Sequence, residues 1–136
     1  MSAAKTLVIK FEGWGHFKSR VTKALKNNVP SITKKGVLVF GSVVEYQKFM
    51  TEQKLAILAV IANKNPKSIY QLAQLVDRDL ANVQRDCVGL AAHGFLNLED
   101  AGDAKKSKIP KLAFEYSRIE IRMPQVIYSH DLGSAA

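Results

Sequence analysis

The stretch SIYQLAQLVDRDLANVQRDCVGLAAHGFLNLED, residues 68–100, decides the fold. It opens on Ser68, whose hydroxyl suits a helix start because it can accept an amide left unpaired in the first turn. Ile69, Leu72, Ala73 and Val76 recur at i, i+3, i+4 and i+7, which is one face of a helix. Asp77-Arg78 ends that pattern, and Asp79 is a second capping residue. Leu80, Val83, Cys87, Leu90 and Ala91 then form another apolar face, predicting a helix over 80–93. His93-Gly94 closes it, since glycine takes the left-handed conformation without a Cβ penalty. Phe95-Leu96-Asn97-Leu98 alternates as a strand does. The link between the two helices, Asp77 to Leu80, is as short as a helix-turn-helix requires.

The pattern extends outward in both directions. Upstream, Thr51 is an N-cap candidate, Leu55, Leu58 and Ile61 predict a helix over 52–63, and Lys64-Asn65-Pro66 stops it. Before that, Ser42-Val-Val-Glu45 has the spacing of a capping box and predicts a short helix to about Phe49. Downstream, Asp100 to Ala104 reads as a turn and Lys105 to Pro110 is basic. Tyr116 to Met123 alternates again, with Ile119, Ile121 and Met123 on one face, until Pro124. Helix, helix, turn, helix, strand, basic turn, strand is the order of a winged helix-turn-helix, which we expect over residues 42–124.

The first 41 residues read differently. Lys5-Thr-Leu-Val-Ile-Lys-Phe11 is a strand, broken by Gly13-Trp14-Gly15. Phe17, Val21, Ala24 and Leu25 give a helical stripe over 16–27, with Lys18, Arg20, Lys23 and Lys26 off it. Gly36 to Phe40 is a second strand. The expected class is therefore α+β: a winged helix-turn-helix with an N-terminal strand–helix–strand extension over 1–41, for dimerisation or partner binding. Residues 125–136 read as a flexible tail.

Charge points to a polyanion. The net charge of the chain is +8; residues 1–50 hold nine Lys/Arg against Glu12 and Glu45, whereas residues 51–136 hold eleven against ten acids. A basic balance suits nucleic acid, and equally an acidic protein. Leu7–Phe11 is too short for a signal sequence and no run reaches the ~18 apolar residues of a membrane span, so the expected location is cytoplasmic, with no membrane partner. The single cysteine, Cys87, excludes an internal disulfide and reads as a core residue. His16, His93 and His130 lack ligand spacing, and no nucleophile with a base or phosphate-binding glycine loop is evident. We expect no cofactor, no metal and no catalysis.

At about 100° per residue, the face of the 80–93 helix opposite Val83, Cys87 and Leu90 carries Ala81, Asn82, Arg85, Val88, Gly89 and Ala92. Arginine pairs with guanine and asparagine with adenine in a major groove, so Arg85 and Asn82 lead the candidate DNA-binding residues. Gln84 and Asp86 flank them. Lys67, Ser68 and Tyr70, at the start of the preceding helix, suit phosphate contact through its free amides. Lys105, Lys106 and Lys108 would make a basic wing. Gly89 in mid-helix costs about 1 kcal/mol relative to alanine, a cost that close approach to DNA or to a neighbouring helix would offset.

SIYQLAQLVDRDLANVQRD (68–86) and EYSRIEIRMP (115–124), with the opening KTLVIKF, resemble a family of MarR-like winged-helix regulators of bacteria and archaea. The resemblance covers most of residues 5–124. It implies transcriptional regulation, operator binding as a dimer, and Arg78, Asn82, Gln84, Arg85 and Asp86 as the DNA-facing set. It also implies a partner, because many members look like the antitoxin half of toxin–antitoxin pairs beside TumE-type toxins. Cys87-Val88-Gly89 and Ala92-His93 carry less charge than that pattern has. The expected function is thus a dimeric autorepressor on double-stranded DNA, with the antitoxin role that the resemblance implies. The alternatives are a toxin-neutralising protein-binding module and a non-specific nucleic-acid binder.

Overall fold

In the computed structural model, which describes residues 5–11, 36–122 and 127–132, four helices each start on a side chain that accepts a first-turn amide. Ser42 caps α1 (Val43–Phe49) and Thr51 caps α2 (Glu52–Lys64). Ser68 caps α3 (Ile69–Val76) and Asp79 caps α4 (Leu80–Ala92). The ends are equally local in origin. Asn65 and Asp77 adopt left-handed conformations after α2 and α3, at φ 46° and 55°. After α4 the turn falls on Gly94, at φ 88°, where Phe95 N–H donates to the Leu90 carbonyl and Gly94 N–H to that of Ala91. This is a Schellman closure, with Leu90 and Phe95 both fully buried beneath it.

Strands form two sheets. The hairpin of β3 (Leu96–Asp100) and β4 (Lys108–Leu112) is antiparallel, with Leu98 opposite Pro110. The larger sheet has the order β2-β1-β5-β6, from β1 (Thr6–Phe11), β2 (Val37–Phe40), β5 (Arg118–Arg122) and β6 (Ile127–Asp131). β1 pairs in parallel with both β2 and β5, and β5 pairs antiparallel with β6. The fold is α+β.

Period-two alternation places the core. Leu7 and Ile9 of β1 and Ile119 and Ile121 of β5 are buried, while Lys10, Arg118 and Arg122 are exposed. The same core takes in Ile57, Leu58 and Ile61 of α2, Leu72 of α3 and Val83, Cys87 and Leu90 of α4. Two tyrosines enter it on different terms. The Tyr116 hydroxyl donates to the Phe95 carbonyl at 2.7 Å, tying the lead-in to β5 to the end of α4. The Tyr46 hydroxyl is buried with no hydrogen-bond partner among the described residues, its ring edge-on to Phe11 and Phe40. Burial pushes its pKa up to about 12.

Three expectations need correction. Residues 127–131, expected within the flexible tail, form β6, and Asn63 of α2 donates to the Leu132 carbonyl at its end. The boundary placed between 41 and 42 divides one sheet: β1 and β2 of the expected extension are built onto β5. Leu80, assigned to the buried face, is 42% exposed, because it borders an open cleft that it shares with Tyr70, Ala73 and Gln74 of α3. The basic helix expected over 16–27, Trp14 and Met123 lie outside the described residues.

Candidate functional site

α4 stands on a base made by its neighbours. It packs against α3, and through Val83, Cys87 and Leu90 against the shared core. Its C-terminal end is held from behind by an aromatic cluster. The Phe49 ring of α1 stacks on His93 at 3.9 Å and lies 5.8 Å from Phe95. His93 Nδ1 lies 3.0 Å from the Gly89 carbonyl oxygen, and Lys54 sits over the Phe49 ring at 4.1 Å while donating to the Phe49 carbonyl. A Cβ added at Gly89 would meet Phe49 Cε1 at 3.6 Å. The glycine therefore faces α1, which favours the neighbouring helix over DNA as the explanation of its place.

The turn before α4 is fastened. Asp77 takes the left-handed position, and Arg78 N–H and Asp77 N–H close on the Ala73 and Gln74 carbonyls. Arg78 Nη1 then pairs with Asp86 Oδ2 at 2.9 Å, both side chains being less than a third exposed. This pair ties the turn before α4 to the middle of that helix. Of the set implied by resemblance, Arg78 and Asp86 thus hold the frame.

Asn82, Gln84 and Arg85 are all exposed, and among the described residues their side chains make no hydrogen bond or ion pair. Around the helix, Ala81, Arg85, Val88 and Ala92 form the stripe opposite the buried one, with Asn82 on one flank and Gln84 on the other. All four stripe residues are exposed, Val88 by 53%. No acid stands among them.

The other candidates separate into two groups. Lys67, Ser68 and Tyr70 meet at the start of α3. Ser68 Oγ accepts from Gln71 N–H at 2.9 Å, and Gln71 Oε1 accepts from Lys67 N–H at 2.7 Å. These bonds satisfy two amides expected to be open to phosphate. Lys67 and Tyr70 are exposed, Tyr70 by 61%, and Tyr70 shares a cleft of about 410 Å³ with Arg78 and Leu80. A larger cleft of about 590 Å³ is lined from α1, α2, β5 and β6, with Tyr46 and His130 among its walls and no residue from α4.

At the hairpin, Lys108 pairs with Asp100 at 2.8 Å and Lys111 with Glu99 at 3.7 Å. Lys105 and Lys106 remain exposed at the tip. The tip is shaped by Asp103, whose carboxylate accepts from Ser107 N–H; that bond holds its pKa below the usual carboxylate value. Sequence reasoning missed Glu99 as the partner of Lys111, a cross-strand contact that the register decides.

Among the described residues there is no group of His, Cys, Asp and Glu that could hold a metal ion, and no helix long and apolar enough to cross a membrane. Cys87 is buried, and burial with the nearby Asp86 carboxylate pushes its thiol up to about 12, Arg78 opposing. At neutral pH it is no nucleophile.

The sequence profile of the HVO_A0114 family matches residues 49–121. That span runs from the end of α1 through the three helices and the hairpin into β5. The chain belongs to the HVO_A0114 family. No curated protein matches it, and no solved structure does. The HVO_A0114 span contains every candidate residue named above; β1, β2 and β6 lie outside it.

Proposed function

We propose that this protein is a DNA-binding transcriptional regulator, with α2, α3 and α4 as a winged helix-turn-helix and the β3–β4 hairpin as its wing. The observation that carries this reading is the solvent face of α4. Among the described residues it presents Arg85, Asn82 and Gln84 without side-chain partners, on a helix packed against α3 and tied to the turn before it by the Arg78–Asp86 pair. A positioned helix with unsatisfied long polar side chains suits the base edges of a major groove. Lys105 and Lys106 at the hairpin tip suit the flanking phosphates.

Selection from a randomised duplex pool, followed by gel-shift titration, tests it. Arg85→Ala is expected to weaken the selected duplex by about 10- to 100-fold while leaving non-specific binding nearly unchanged. Lys105→Ala with Lys106→Ala is expected to weaken all duplexes alike and lower the salt slope by about one per lysine contact. Equal affinity of wild type and Arg85→Ala for the selected duplex refutes the assignment of α4.

The charge distribution favours a second reading, in which the basic N-terminal third binds an acidic protein, as an antitoxin would bind a toxin. Deleting residues 1–36 does not separate the readings, because β1 is an inner strand of the sheet. Reversing the charges at Lys18, Arg20, Lys23 and Lys26 does. Lost partner binding with intact DNA binding supports a divided role.

A further inference from the structure

The central stripe of α4 is unusual for a reading surface: one cation, Arg85, among three apolar residues, Ala81, Val88 and Ala92, all exposed. Val88 is 53% exposed and belongs neither to the buried core nor to the hydrophobic residues packed against it. Burying a β-branched side chain stabilises by roughly 1.5–3 kcal/mol, so an exposed one at the centre of a reading face points to a partner with apolar surface. A major groove has one such group, the C5 methyl of thymine. Charge complementarity favours DNA over an apolar protein face here, since the stripe has an arginine at its middle and Lys105 and Lys106 stand at the hairpin. Like charges or neutral surface would leave Arg85 without a counterpart.

We infer that Val88 is a specificity-determining residue that contacts a thymine methyl beside the guanine read by Arg85. This rests on the DNA-binding reading above and adds the base identity. Along the helix axis Val88 lies about 4.5 Å from Arg85 and Ala81 about 6 Å on the other side, at a rise of about 1.5 Å per residue. With bases about 3.4 Å apart along one strand, the thymine for Val88 falls one or two steps from the guanine. The short Ala81 and Ala92 side chains leave the helix backbone near the base edges, which Val88 needs because it reaches no further than its two methyls.

The test uses the full chain and the duplex it selects. Each thymine of that duplex is replaced in turn by deoxyuridine, which removes the methyl and nothing else. Wild type is expected to lose roughly three- to fivefold in affinity at one thymine, the value of one buried methyl group. Val88→Ala is expected to lose a similar factor and to become indifferent to uracil at that position, while retaining its preference for the guanine. Val88→Ala favours helix formation, so a melting curve no lower than wild type confirms that it is folded. Two results overturn the inference while leaving α4 as the reading helix: no thymine near the guanine is sensitive to uracil, or Val88→Ala retains full sensitivity. A change in solution mass on Val88→Ala without any uracil effect also overturns it, because the stripe is then a protein contact. If no duplex is selected and Arg85→Ala changes nothing, the DNA-binding reading itself fails.

Discussion

Gly89→Ala tests how α4 is seated. Gly89 lies inside a 13-residue helix at ordinary helical dihedrals, so an added methyl meets no backbone penalty. Glycine in a helix interior is worse than alanine by about 0.8–1.0 kcal/mol. Among the described residues beyond its own helix turn, the contact a Cβ would make within 4 Å is with Phe49 Cε1 at 3.6 Å, ordinary van der Waals distance. The two effects therefore add, and we expect stabilisation of about 1 kcal/mol, or roughly 3–5 °C in Tm for a chain of this size. Urea and thermal denaturation followed by circular dichroism measure it. Because the methyl faces α1, affinity for the selected duplex should stay within about twofold of wild type, a difference below 0.5 kcal/mol. Destabilisation by more than 0.5 kcal/mol would show that α1 and α4 approach more closely than the ring distance indicates. Stabilisation with a large loss of affinity would put Gly89 on the groove side and refute the placement of its Cα–H bond.

Other substitutions have equally definite signs. Tyr46→Phe and Tyr116→Phe delete the same atom with opposite results: the first removes a buried hydroxyl with no partner among the described residues and should stabilise by about 1 kcal/mol, the second removes one of the two hydrogen bonds to the Phe95 carbonyl, leaving that from Ala113 N–H, and should cost about 0.5–1.5 kcal/mol. Arg78→Ala strands the Asp86 carboxylate and should cost about 1–2 kcal/mol, between the values of exposed and buried pairs; in a double-mutant cycle Asp86→Asn should add little to it, and full additivity would dismiss the pair. Alkaline pH should unfold the protein early. Folding raises Cys87 from 9.0 and Tyr46 from 10.0, both to about 12, so the unfolded chain loses these protons first. The stability they contribute is complete below about pH 9 and declines towards pH 12. Cys87→Ala with Tyr46→Phe should flatten that decline, as measured by urea midpoints across the range.

The helix framework was legible in the residues because caps are local. Ser42, Thr51, Ser68 and Asp79 each satisfy an amide three positions on, and a reader needs only that spacing. The exposure of Asn82, Gln84, Arg85 and Val88 followed from periodicity against Val83, Cys87 and Leu90. Features set by distant partners were not legible. Ile-Tyr-Ser-His-Asp at 127–131 has no strong strand pattern, and its place beside β5 depends on pairing that composition does not encode. Arg78 and Arg85 both lie within reach of Asp86 on the sequence, and the turn at Asp77 brings the Arg78 guanidinium to it. Leu80 counted as core by period, yet it lines an open cleft beside α3.

The parallel pairing of β1 with β5 has a consequence for how the chain is made. Leu7 leaves the ribosome 112 residues ahead of Ile119, its register partner. Contacts that close so long a loop form slowly, whereas helix contacts form locally and early. The helices and hairpin between them can thus assemble while β1 still has one side unpaired, exposing a strand of alternating Leu7 and Ile9 to other nascent chains. Synthesis rate and the arrival of residues 118–122 then determine the yield of folded protein, and truncation anywhere before β5 should send the product to aggregates rather than to a working fragment.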